Sequence, residues 1–264
     1  MPKITIEALK QKMIDRLVKE GVQQQHAEIV ADVLAFAEAR GIQSHGVIRM
    51  APYVTRVQKG HIQTNPNITT TLINEAVVKI DGDYGFGHVV TKLAVDEAIK
   101  CAKHLGIGLA VVTHTTHCGA IGYYTEYAAK QGMIALIFTQ ADTLIAPYGA
   151  KDAYLGVNPI TYSIPNGEQP ITLDMSTSEA AFGKIMLARE NGERIPDTWG
   201  LDENGEPTTD PHEVEALQPT AGAKGSGLAL LVDILAGLLP GENAYMYEEI
   251  DKRRKLGQFI IMID

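Results

Sequence analysis

Residues 6–20 and 25–40 carry apolar side chains at the three- and four-residue spacing of an amphipathic helix. Ile6, Leu9, Met13, Leu17 and Val18 mark the first, and Ile29, Val30, Val33, Leu34 and Ala37 the second. Gly21 and Gly41 supply the two stops. A third helical stretch is predicted over 44–59. Pro52 within it must kink the helix or begin a new one, because proline lacks an N–H and its ring collides with the preceding turn.

Further along, the period shortens. Ala76-Val77-Val78-Lys79-Ile80, residues 107–113 and residues 134–139 read as β-branched strands, with helices over 89–105 and 121–131 between them. Two more strands are predicted at 160–164 and 171–174, then a helix over 178–190. Residues 191–211, rich in Gly, Pro, Asp and Thr, read as a loop with a hairpin-like turn at Asp202-Glu203-Asn204-Gly205. Ala223-Lys224-Gly225-Ser226-Gly227 opens an apolar helix over 228–239. After Pro240-Gly241 a charged run over 248–255 leads to an apolar strand at 258–263. The alternation predicts an α/β protein in three parts: a helical segment over 1–75, an α/β domain over 76–240, and a helix and strand over 241–264.

Composition narrows the partners. With 264 residues, 45% of them hydrophobic and 21% charged, the chain can bury a sizeable core. No apolar run approaches the ~18 residues of a membrane span, and Met1-Pro2-Lys3-Ile4-Thr5 lacks the apolar stretch of a secretory signal. The expectation is a cytoplasmic protein with no membrane partner. A net charge of -9 and a pI near 5.4 argue against general binding to a phosphate backbone, so the expected partner is a small molecule and not a nucleic acid. Cys101 and Cys118 fall short of a disulfide framework or a zinc quartet and are expected as free thiols.

The densest chemistry lies in Ala39-Arg40-Gly41-Ile42-Gln43-Ser44-His45-Gly46-Val47-Ile48-Arg49. If this segment is helical, His45 and Arg49 share one face and Tyr53 follows one turn later. Arginine can grip a carboxylate through two parallel hydrogen bonds, and histidine titrates where a hydroxyl proton must be taken or returned. The plain alternative is that Ser44 caps a helix and the other two are surface residues. His114 and His117 lie between a predicted strand and a helix, where ligands collect in α/β sheets. His114 and His117 with the neighbouring Cys118 could supply two or three zinc ligands, but no further ligand pair stands out elsewhere, so no metal is assigned. Lys224-Gly225-Ser226-Gly227 could cradle a phosphate at a helix start, although its lysine precedes the glycine, unlike a Walker loop. Gly85-Phe86-Gly87 lacks the third glycine of the dinucleotide fingerprint. Asp174-Met175-Ser176-Thr177-Ser178 ends a strand and opens a helix that Ser176 or Ser178 could cap.

Taken in order, these stretches resemble the type 2 malate/L-lactate dehydrogenase family, whose fold is not the Rossmann fold. The likeness rests on Ala39 to Gly46 above, on His117-Cys118-Gly119-Ala120-Ile121, and on Pro147-Tyr148-Gly149-Ala150. It continues through Gly156-Val157-Asn158-Pro159, Leu173-Asp174-Met175-Ser176 and Lys224-Gly225-Ser226-Gly227. Ile195-Pro196-Asp197-Thr198-Trp199, Pro207-Thr208-Thr209-Asp210-Pro211 and Lys255-Leu256-Gly257-Gln258 look most like the ureidoglycolate dehydrogenases of allantoin breakdown, a branch of that family.

The resemblance implies a helical N-terminal part packed with a mixed-sheet NAD(P)-binding domain, and NAD, with NADP as the other choice, as cofactor. It implies oxidation of a small 2-hydroxy acid, ureidoglycolate first, with malate, lactate, sulfolactate or a sugar-derived keto acid as alternatives. His117 is then the group that takes the hydroxyl proton, with His45 as its competitor; Arg49 holds the substrate carboxylate, and Ser44 and Tyr53 hydrogen-bond the rest. Ala141, Asp174, Met175, Ser176 and Lys224 fall on cofactor positions, and a homodimer is expected. Family members continue past the final strand, and the connection at 240–244 is shorter than their pattern. A ligand-binding homologue without turnover is therefore the alternative class.

Overall fold

The computed structural model describes residues 4–241 and 255–264. The charged run over 248–255, apart from Lys255, and the helix expected ahead of the last strand lie outside the described residues.

The N-terminal helices form where their apolar stripes predict. Helix α1 (Ile6–Lys19) starts at Thr5, whose side-chain oxygen accepts the Ala8 N–H, and buries Met13, Ile14 and Leu17. They meet Ala27, Val30, Ala31 and Leu34 of α2 (Gln24–Ala39) in one apolar cluster with Tyr53 and Phe86. The single helix expected over 44–59 is broken. Two 3-10 turns, Gln43–His45 and Val47–Arg49, precede α3 (Met50–Gln58), with Gly46 extended between them. Pro52 falls in the first turn of α3, where its missing N–H has no intrahelical acceptor to lose. The proline therefore belongs to a new helix and makes no kink.

Seven strands form the main sheet in the order β1 (Thr69–Asn74), β2 (Val77–Asp81), β3 (Ile107–Thr115), β12 (Leu256–Ile263), β4 (Ile134–Thr139), β7 (Ile160–Ile164) and β8 (Ile171–Met175). Strands β2 and β3 are parallel, whereas β12 runs antiparallel to both β3 and β4. The sheet is mixed, as expected for the α/β class. One face packs against α4 (Gly87–Leu105) and α5 (Gly122–Ala129), through Ala110, Val112, Ala135, Ile137, Ile260 and Met262. The period-two alternation sends Phe259 and Ile261 to the other face, beside Phe138, Val232 and Ala236.

A second sheet, of five short strands, was not predicted. Its order is β10 (Pro207–Thr208), β9 (Gly200–Leu201), β11 (Ala216–Leu217), β5 (Thr143–Ile145) and β6 (Leu155–Gly156). Most of these strands have two residues, too few for any hydrophobic period to register. The turn at Asp202 closes the β9–β10 hairpin, its carboxylate accepting the N–H groups of Asn204 and Glu206. Helix α6 (Phe182–Asn191) begins later than expected. Ala181 occupies its N-cap, and Ser178 instead donates to the Ala180 carbonyl, so neither Ser176 nor Ser178 caps it.

The expected apolar helix over 228–239 is α7 (Ala223–Val232) followed by a π-helical segment, Asp233–Leu238. Gly257 of β12 packs against this segment so closely that a Cβ would lie 1.8 Å from the Ala236 carbonyl oxygen. Gly257→Ala is therefore expected to destabilise the fold by about 1–3 kcal/mol, because backbone and not a movable side chain must yield. Denaturant unfolding measures this, and an unchanged midpoint would contradict the packing.

Candidate active site

The broken helix gives the Ser44–Tyr53 segment its shape. His45 and Arg49 are not stacked on one α-helical face; Arg49 folds back so that its Nε donates to the Ser44 carbonyl at 2.6 Å. Its terminal guanidinium nitrogens have no protein partner among the described residues and remain a fork for an anion. The Ser44 hydroxyl lies 2.9 Å from His45 Nδ1, and the His45 ring stacks at 5.5 Å on that of His117.

His117 reaches the same place from the end of β3, on the turn that leads into α5. Its Nδ1 lies 2.7 Å from the Tyr53 hydroxyl and 3.2 Å from the Gly119 N–H. The Tyr53 hydroxyl can donate to Nδ1 or accept from it, so the ring proton can sit on either nitrogen, and the Gly119 N–H bond is kept only while Nδ1 accepts. Gly119 has φ +78°, which lets its N–H turn back to His117 without a Cβ penalty. Ser44, His45, Tyr53 and His117 are thus gathered in one cluster, with Arg49 on the same segment. His114 is directed elsewhere, its Nδ1 2.9 Å from Asp81 Oδ2.

His88 was missed by the sequence reading. It is fully buried under Tyr53, with ring centroids 5.1 Å apart, and among the described residues neither of its ring nitrogens has a hydrogen-bond partner. The available signal was a histidine set among Val89, Val90 and Thr91 on the buried face of a helix.

The other predicted residues lie on β8 or just past its end, on the segment after β4 and on α7. Asp174, at the end of β8, accepts the Gly122 N–H at 2.8 Å at the start of α5, only five residues past His117. Its carboxyl is open along one edge, yet crowding by protein raises its pKa while the Gly122 N–H opposes the rise. Ser176 shares a 2.9 Å contact with Ser178. The start of α6 adjoins Ser44, since a Cβ on Gly183 would lie 3.5 Å from the Ser44 Cβ. Ala141 follows β4, and Lys224 stands exposed in the first turn of α7, whose N-cap Gly222 lies against the ring of Tyr148. The donor types here suit a nucleotide: a lysine, the Ala223 and Lys224 amides that open a ten-residue helix, and the Ser176 hydroxyl are groups that bind phosphate oxygens. Among the described residues no group of three or more His, Cys, Asp or Glu gathers to hold a metal. Cys101 and Cys118 are buried and free, and burial pushes the Cys118 thiol up to about 12.

A sequence profile of the malate/L-lactate dehydrogenase family matches residues 4–264. The chain belongs to that family. Like other malate/L-lactate dehydrogenases of this type it is an NAD(P)-dependent dehydrogenase acting on a CH–OH group, with a small 2-hydroxy or 2-keto acid as substrate. The chain is 37% identical to the NAD-dependent ureidoglycolate dehydrogenase of Escherichia coli K12, a match covering 99% of this chain and 77% of that protein. It is 38% identical to a malate dehydrogenase of Pyrococcus horikoshii, over 94% of this chain and 72% of the other. Among solved structures, that of the P. horikoshii malate dehydrogenase superposes with a TM-score of 0.89 at 34% identity, covering all of this chain and 76% of that one. The Δ1-piperideine-2-carboxylate reductase of Pseudomonas syringae superposes with a TM-score of 0.95 at 28% identity, covering 100% of this chain and 82% of that one.

Burial and the nearby Arg49 charge push His45 down to about 4, and burial, with His45 adding to it, pushes His88 down to about 3. Both rings therefore fold neutral, whereas in the unfolded chain they take up protons near 6.5. Their contribution to stability is whole above about pH 6.5 and drains as pH falls toward about 4. Denaturant unfolding is expected to show this loss, and His45→Gln to reduce the part lost between about pH 6.5 and 5 by about 1–2 kcal/mol. Identical pH profiles for the two proteins would refute the assignment.

Proposed function

We propose that this dehydrogenase oxidises ureidoglycolate to oxalurate with NAD. The likeness to the E. coli ureidoglycolate dehydrogenase over almost the whole chain supports the substrate, and the bond between Tyr53 and His117 carries the role assignment. Arg49 holds the substrate carboxylate with its terminal guanidinium nitrogens, while Ser44 and Tyr53 meet the remaining polar groups. His117 takes the hydroxyl proton on Nε2. For that step the ring proton sits on Nδ1 and is donated to the Tyr53 hydroxyl, which can accept as readily as it donates. His45 is the weaker base, because a second positive charge beside Arg49 in a buried setting is costly. A bound nicotinamide would supply the hydride acceptor for the carbon that bears the hydroxyl. Ala141, Asp174, Met175, Ser176 and Lys224 would hold the nucleotide. Malate and sulfolactate dehydrogenases of similar identity make those hydroxy acids the alternative substrates. A homodimer is proposed as well, supported by the exposed apolar run Leu230, Leu231, Ile234, Leu238 and Leu239.

Assay of ureidoglycolate, malate, lactate and sulfolactate with both NAD and NADP decides the substrate, and no reduced-nicotinamide absorbance with any pair would sink the enzyme reading. His117→Ala is expected to lower kcat by about 10²–10⁴-fold while NADH still binds. If His45→Ala does this and His117→Ala does not, the two roles are reversed. Arg49→Leu is expected to raise the hydroxy-acid KM by about 10–100-fold, with little change in nucleotide KM.

A further inference from the structure

One buried turn joins the three segments assigned to the nucleotide. Asn158 is fully buried at φ +33°, a left-handed conformation that asparagine tolerates better than most residues. Its Oδ1 accepts the Ala141 N–H at 3.2 Å, and its Nδ2 donates to the Ala229 carbonyl of α7 at 2.9 Å. The preceding carbonyl, of Val157, accepts both the N–H and the hydroxyl of Thr177, at 2.9 and 3.1 Å. The loop at 141, the strand end at 174–177 and the helix bearing Lys224 are therefore all fastened to residues 157–158.

Asp233 stands behind this turn, 2% exposed, in an otherwise apolar stretch. Gln140 Nε2 donates to its Oδ1 at 3.4 Å, and the Asn158 side chain and Gly156 N–H also face it. Among the described residues no salt bridge reaches it, its Oδ2 has no partner, and burial pushes its pKa up to about 6. A buried carboxylate without a cation costs stability, so stability alone gives no reason for it. Orientation does. An ionised carboxylate only accepts, so Asn158 and Gln140 must both turn their NH₂ groups toward it. That leaves Asn158 Oδ1 for the Ala141 N–H and Gln140 Oε1 for the Gly257 N–H, the latter at 3.1 Å.

We infer that Asp233 is a positioning residue of the nucleotide site: through Asn158 and Gln140 it fixes the relative placement of residue 141, the 174–177 strand end and the first turn of α7. This rests on the nucleotide placement proposed above. An asparagine at 233 could present an oxygen or an amino group to either neighbour, so the two amides would lose the acceptor that reinforces the orientation set by the Ala141 and Gly257 N–H groups and the Ala229 carbonyl.

The test uses the whole chain, with NADH binding followed by fluorescence titration beside steady-state kinetics and thermal melting. Asp233→Asn is expected to melt at or above the wild-type temperature yet bind NADH about tenfold more weakly, with nucleotide KM rising by a like factor and kcat at saturation within about twofold. Asn158→Ser, which keeps the Asp233 carboxylate but removes the amide that links it to Ala141 and Ala229, is expected to weaken NADH binding similarly, and it carries the test if Asp233→Asn is not recovered folded. Unchanged NADH affinity in a folded variant overturns the inference, as does an affinity loss that merely tracks a lowered melting temperature. Failure of the wild-type chain to bind either NADH or NADPH overturns the nucleotide reading itself, and this inference with it.

Discussion

The insertion of β12 between β3 and β4 is the constraint on which the rest of the molecule depends. A strand antiparallel to both neighbours supplies hydrogen bonds to two parallel strands that could not pair at that separation. It thereby fixes the distance between the end of β3, which leads to His117, and the end of β4, which leads to Ala141. The register shift between Leu256 and Gln258 frees Gly257 to bond Gln140 through both its N–H and its carbonyl. The absence of a side chain at 257 lets the π segment settle onto the strand, and that carries Asp233 in behind Asn158. The proposed substrate wall and the proposed nucleotide wall are both set by one strand.

The two walls use burial in opposite ways. Around His45 and His88 it removes charge, leaving neutral rings beside one arginine whose cation faces no carboxylate among the described residues. A site that must attract an anion is best served by a single unneutralised charge in a setting that screens little. Around Asp233 burial strengthens hydrogen bonding and makes amide orientation a matter of large energies. Among the described residues the buried polar atoms without a partner are those of His88 and Asp233, beside the proposed site, and Thr115 Oγ1 and Gln258 Nε2 in the main sheet.

The helices and main strands were legible because each buries a face with a clear period: Met13, Ile14 and Leu17 in α1, or Ile260 and Met262 against Phe259 and Ile261 in β12. The two-residue strands of the second sheet carry no period, and the Ser178 cap failed because its hydroxyl found the Ala180 carbonyl instead. The site was legible in kind. Ser44, His45, Arg49, Tyr53 and His117 could be named from motif and order, but His45 and Arg49 were assigned a shared helical face that Gly46 interrupts.

By itself the sequence determined the longer helices and strands, the α/β class, the family and the residue types proposed for both walls, since these follow from local periodicity and short motifs. Tertiary structure decided that His117 pairs with Tyr53 across 64 positions, that His88 lies buried beneath that pair, and that Asp233 turns the amides of Gln140 and Asn158. Proton location, charge state and amide orientation depend on which groups burial brings face to face, and no local spacing along the chain encodes that.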